Sequence, residues 1–168
     1  MRYFLIGFMG SGKSLIGKKI AEKLNFKYID LDNFIEQSEN RTIVNIFNKS
    51  GEKYFRELEK KYLKQIIKED NIVISTGGGT PVFHKSMYIM NNFGKTIYLN
   101  CHTEILFKRL KNNKEKRPMI SNLSDENLKK YIEKKLGSRQ SFYNQATYVI
   151  YNNNNSENCI NNIIDILR

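Results

Sequence analysis

Two hydrophobic patterns alternate along this chain. Short runs rich in β-branched and aromatic residues occupy residues 3–6, 26–29, 72–74, 95–99 and 148–150. Runs of this length, bounded by polar residues, suit strands covered on both faces. Between them apolar residues recur at helical spacing. Leu15, Ile16, Ile20, Ala21 and Leu24 share one side of a helix over Lys13–Leu24, and Phe55, Leu58, Tyr62 and Ile66 do so within a long helix over 52–68. Shorter helices are expected over 32–38, 42–49 and 103–111, and Ile160, Ile163, Ile164 and Leu167 mark a terminal amphipathic one. Strands separated by helices require parallel crossovers. The expected fold is α/β: a five-stranded parallel sheet with helices on both faces, in three layers. Residues 112–124 fit neither pattern and carry charge around Arg117-Pro118, so they are expected to form a mobile loop. With no repeat and no linker, residues 1–168 read as one domain.

Composition narrows the classes. The chain has 168 residues, 40% of them hydrophobic, enough for one core without disulfide or metal staples. No apolar stretch approaches the ~20 residues that cross a bilayer. Residues 1–6 faintly resemble an export signal, but the apolar run is short and ends in a glycine loop. They read as a buried first strand, and the protein is expected in the cytoplasm. Cys101 and Cys159 lack metal-ligand spacing and are expected to be free thiols. Lys and Arg number 28 against 17 Asp and Glu, a net charge of +11. Such a balance suits nucleic acid or small anionic ligands. Lys18, Lys19, Lys23, Lys60, Lys61 and Lys64 are spread over helices rather than gathered in a block, as solvated helix faces are. Neither a nucleic-acid nor a membrane partner is expected.

The strongest chemical signal is Gly7-Phe8-Met9-Gly10-Ser11-Gly12-Lys13-Ser14, which matches the phosphate-binding loop G-x-x-x-x-G-K-[ST] between a strand and a helix. Glycines let backbone N–H groups turn around phosphate oxygens, and the helix dipole points at the same anion. Lys13 can reach the β- and γ-phosphates, and Ser14 can place its hydroxyl on Mg²⁺. Asp30-Leu31-Asp32 follows at the end of the second strand, where ligands of parallel sheets sit. Only one of the two carboxylates is expected to face the site, and Asp32 is either that residue or the cap of the next helix. Arg56 and Glu59 share a helix face. They form either a surface ion pair or an oriented arginine that grips a carboxylate. Gly77-Gly78-Gly79 after a buried strand suggests close approach of backbone to a ligand, against a plain tight turn. Arg109, Arg117 and Arg139 are candidates to stabilise a transferring phosphoryl group.

In this order and combination, Gly-Phe-Met-Gly-Ser-Gly-Lys-Ser, Asp-x-Asp leading into Asn33-Phe34-Ile35-Glu36, Phe55-Arg-x-x-Glu59, Thr76-Gly-Gly-Gly79 and Arg117-Pro118 resemble shikimate kinase, over about residues 4–151. The resemblance implies ATP-dependent phosphorylation of shikimate to shikimate 3-phosphate in the cytoplasm, with Mg²⁺ and ATP and a lid at about 112–124; the protein is expected to be a monomer. It implies that Gly10, Ser11, Gly12, Lys13, Ser14 and Leu15 hold the nucleotide phosphates, with Ser14 on the metal. It implies that Asp32 holds shikimate hydroxyls, that Arg56 (oriented by Glu59) and Arg139 clamp the shikimate carboxylate, and that Gly77, Gly78 and Gly79 adjoin the substrate. Arg117 would reach the ATP phosphates from the lid, and Arg109 would flank adenine. This chain departs from the family pattern at three points, one of them a lid richer in lysine. Leu15 replaces the usual Thr, and Arg139-Gln140-Ser141-Phe142-Tyr143 lacks the proline of Arg-x-Pro-x-Tyr, which bears on rigidity around Arg139.

Overall fold

In chain order the elements are β1 (Arg2–Ile6), α1 (Lys13–Leu24), β2 (Lys27–Asp30), α2 (Leu31–Glu39), α3 (Ile43–Ile66), β3 (Ile72–Ser75), α4 (Ser86–Phe93), β4 (Lys95–Asn100), α5 (Thr103–Lys111), α6 (Asp125–Tyr143), β5 (Tyr148–Tyr151) and α7 (Ser156–Leu167). They come from a computed structural model that describes residues 1–114, 117, 119–153 and 156–167. Pro118, half of the Arg-Pro pair, lies outside the described residues.

The five strands form one sheet in the order β2-β3-β1-β4-β5, and every pairing is parallel. Alternation along β1 explains the three layers. Phe4 and Ile6 point into a core shared with Leu31, Ile35, Leu58 and Leu63 of α2 and α3. Tyr3 and Leu5 point to the other face, among Ile16 and Ile20 of α1 and Ile160 and Ile163 of α7. A third cluster, around Phe8, Leu106, Leu110, Leu128 and Ile132, joins α5 and α6 to the glycine loop.

The expected elements agree with those found, with local differences. The two helices expected over 42–49 and 52–68 meet in α3 at Gly51, whose φ of 77° and ψ of 171° break the helix. Two helices were not expected. One is α4; the other is α6, which Ser124 opens by accepting from the Asn127 amide. Asp125 and Glu126 in the first turn of α6 suit the positive helix end. Its signal, Leu128, Ile132 and Leu136 at four-residue spacing, is diluted by a strongly charged remainder. Both thiols are free and buried. Among the described residues no helix is long and apolar enough to cross a membrane.

Candidate functional site

A cleft of about 690 Å³ opens where β1, β2 and β3 end. Its floor is the loop between β1 and α1. Gly10 and Gly12 take φ of 81° and 95°, the left-handed region open to glycine. Gly12 starts α1 without any side-chain cap, so the first-turn amides face the cleft with no partner from the helix. From beneath, the Asn152 amide donates to the Ser11 carbonyl at 2.8 Å, and a Cβ on Gly12 would stand 2.8 Å from that same nitrogen. Ser11 is itself fully buried under the loop.

Lys13 Nζ donates to the Gly7 and Phe8 carbonyls, both at 2.9 Å, which folds it over the loop. Burial pulls its pKa down to about 8, against the opposing pull of Asp32 and Asp30. Ser14 Oγ donates to Asp30 Oδ2 at 2.6 Å. Leu15 lines the mouth of the cleft and is 57% exposed.

The two aspartates differ from expectation. Asp30, not Asp32, caps α2: its Oδ1 accepts from the amides of Asp32 at 3.1 Å and Asn33 at 3.3 Å. Asp32 is therefore free for the site, and both carboxylates line the cleft. The expectation that only one would do so fails because the chain turns into α2 at Leu31, so strand geometry does not govern the pair. Asp32 Oδ1 is buried without a hydrogen-bond partner among the described residues. Desolvation pushes the Asp32 pKa up to about 7; Glu59 and Asp30 add to this, while Lys13 and Arg56 oppose it.

Arg56 and Arg139, from α3 and α6, are each only 8% exposed and both line the cleft. Arg56 is held on two sides. Its Nη1 donates to Glu59 Oε2 at 2.6 Å, and Nη2 and Nε donate to Glu52 Oε1 at 2.7 and 3.2 Å. Phe83 lies under its guanidinium at 4.5 Å. Glu59 is fixed in turn by the Thr80 hydroxyl. This is a buried, oriented arginine, not a surface ion pair. Arg139 stands over the Phe8 ring at 5.5 Å and has no carboxylate partner among the described residues.

The three glycines are small for the sake of these side chains. A Cβ on Gly77 would come 2.7 Å from Glu59 Oε1 and 3.0 Å from Asp32 Oδ1. One on Gly78 would meet Arg139 Nη1 at 3.3 Å, and one on Gly79 would meet Arg56 Nη1 at 2.6 Å. None of the three has a positive φ. Space, not backbone conformation, demands glycine here. The Tyr143 hydroxyl donates to the Gly78 carbonyl at 2.6 Å, tying this turn to the end of α6. That helix runs unbroken through Ser141, so Arg139 is anchored without the family's proline.

Arg117 also lines the cleft; burial lowers its pKa, and the Asp32 carboxylate pushes the other way. Arg109 lines it beside the loop, donating to the Gly10 and Asn152 carbonyls at 3.1 Å each. The residues expected to act in the site thus border the cleft, except Ser11, which underlies it; Gly7 and Phe8, at the start of the loop, do not line it. Sequence reasoning gave no role to Asp30, Glu52 or Tyr143. Asp30 was within the quoted motif, and Glu52 sits one helical turn before Arg56. Tyr143 closes the altered Arg-x-Pro-x-Tyr segment.

Residues 9–168 match the family model described as shikimate kinase. The chain is 48% identical over 151 residues to a shikimate kinase of Azobacteroides pseudotrichonymphae, covering 89% of each. It superposes on the crystal structure of shikimate kinase from Bacteroides thetaiotaomicron with a TM-score of 0.94 and 40% identity, covering 99% of this chain and 98% of that one. A shikimate kinase from Acinetobacter baumannii in complex with shikimate matches with a TM-score of 0.92 and 28% identity, covering 99% of this chain and 92% of that one.

Proposed function

Because the chain belongs to the shikimate kinase family, we propose that the cleft carries out that family's reaction with the residues assembled above. The protein is an ATP-dependent kinase that converts shikimate to shikimate 3-phosphate, a step toward chorismate and the aromatic amino acids. The assignment of roles rests on one observation above the others. Two buried arginines from distant parts of the chain converge on consecutive glycines in the cleft that also holds the phosphate loop and Asp32.

The backbone amides from Gly10 to Leu15 and the ammonium of Lys13 hold the nucleotide phosphates. Lys13 moves from the loop carbonyls to the β- and γ-phosphates when they arrive. Arg109 borders the nucleotide end. Arg56 and Arg139 take the shikimate carboxylate, which places the ring hydroxyls toward Asp32. Its carboxylate accepts the proton of the attacking hydroxyl, and a pKa of about 7 suits a base working near neutrality. Arg117, on the segment between α5 and α6 that serves as the lid, neutralises charge on the transferring group and excludes water. Residues 1–168 form one kinase domain around this cleft.

The oxygen donors fit a magnesium ion. The Ser14 hydroxyl and Asp30 carboxylate are 2.6 Å apart, and Asp32 Oδ1 is buried and unpartnered nearby. Among the described residues no group of three His, Cys, Asp or Glu forms a protein-only cage. That suits Mg²⁺, which keeps waters and substrate phosphates as ligands. Ser14 would hold it, with Asp30 and Asp32 alongside, and when bound it neutralises phosphate charge. We place the enzyme in the cytoplasm as a monomer without nucleic-acid or membrane partners.

An ADP-release assay with shikimate and gluconate side by side tests the reading. ADP release that depends on shikimate and not on gluconate is expected. Turnover of gluconate at an equal rate, or none with shikimate, overturns it.

A further inference from the structure

Tyr131 lies on α6, two turns before Arg139, and lines the cleft. Its ring is packed against the cluster of Phe8, Leu128 and Ile132, with the Lys135 ammonium 6.0 Å from the ring centre. The phenol oxygen is buried, yet it has no hydrogen-bond partner among the described residues. Folded proteins seldom leave such a group unmet without a reason.

The surroundings of that oxygen say what kind of group would meet it. The charges acting on it are Arg139, Glu52 and Arg56. Two of these are guanidiniums, which donate and never accept. The third, Glu52, already accepts two hydrogen bonds from Arg56. Burial raises the pKa of the phenol, so the hydroxyl stays protonated and keeps its donor. Both of those bonds end on Oε1, and no protein acceptor reaches the phenol oxygen among the described residues; an anionic ligand held in the cleft that Tyr131 shares with Arg56 and Arg139 would supply one.

We infer that the Tyr131 hydroxyl is a third donor to the substrate carboxylate, completing the grip of Arg56 and Arg139. It adds a fixed direction to a site otherwise built of charge. The hydroxyl contributes one short, charge-assisted hydrogen bond. This rests on the clamp described under the proposed function, and the test separates the two.

Tyr131→Phe removes only the oxygen. KM for shikimate should rise about tenfold, while kcat and KM for ATP stay within about twofold of wild type. Deleting an unmet buried hydroxyl should leave Tm unchanged or higher; a purely structural tyrosine would lose Tm instead. A shikimate analogue with a methyl group in place of the carboxylate supplies the second arm. Wild type and Tyr131→Phe should then have the same KM, because the acceptor is gone. Arg139→Ala, assayed in parallel, reports on the clamp. If it leaves shikimate KM unchanged, the clamp and this inference fall together. If it raises KM while Tyr131→Phe does not, or if Tyr131→Phe acts equally on the analogue, the inference on Tyr131 alone is overturned.

Discussion

Replacing Asp32 with Asn should stop the reaction and make the protein more stable. Among the described residues the Asp32 carboxyl has no partner for Oδ1, and its pKa rises from an ordinary 3.8 to about 7. At about 1.4 kcal/mol per pH unit, keeping this charge buried costs on the order of 4 kcal/mol. The sign follows from linkage. Well below pH 3.8 the carboxyl is neutral in both the folded and unfolded states and has no effect. As pH rises toward 7, the unfolded chain ionises first and the fold loses ground; above 7 the full cost is present. Asn imitates the neutral form at every pH. The gain over wild type should therefore be small near pH 4, grow through pH 5–7 and level off by pH 8. Even half the figure corresponds to a Tm rise of about 4–8 °C in a chain of this size. Turnover should fall about 10²–10⁴-fold, since the amide cannot take the proton of the acceptor hydroxyl. Thermal unfolding at pH 5 and pH 8, with steady-state kinetics on both proteins, reads all of this. A variant that is less stable than wild type at pH 8, or that retains near-normal kcat, refutes the reasoning.

Gly79→Ala changes no charged group, but its Cβ would stand 2.6 Å from Arg56 Nη1. The guanidinium should be pushed aside, so shikimate KM should rise more than tenfold, and Tm should fall because Glu59 loses its buried partner. Arg56→Lys keeps the charge but not the planar fork that now meets Glu52 and Glu59. It should raise shikimate KM by an amount within the ~2–5 kcal/mol of a broken buried charge pair, leaving ATP KM nearly unchanged; wild-type behaviour would contradict a bidentate grip. Arg117→Ala should lower kcat and raise KM for ATP with little effect on shikimate binding. Equal effects on both ligands would remove Arg117 from the phosphates.

The order of strands and helices was legible because both periods are local. A run such as Ile72-Val73-Ile74 announces a strand buried on both sides, and all four of its β3 residues are indeed buried. The phosphate loop was legible too, since its glycines, Lys13 and Ser14 act within one turn of chain. Helix α6 was overlooked because charge dilutes its apolar spacing. Capping by Asp30 depended on where the chain bends, and no pattern places that bend at Leu31. The clamp needed the fold most. Arg56 and Arg139 each look like ordinary surface arginines along the chain. The sheet order that sets β1 between β3 and β4 brings the β3 turn against both α3 and α6, and so puts the two guanidiniums over Gly79 and Gly78. Contacts between residues far apart in the chain are decided by packing, to which neither local propensity nor spacing has access.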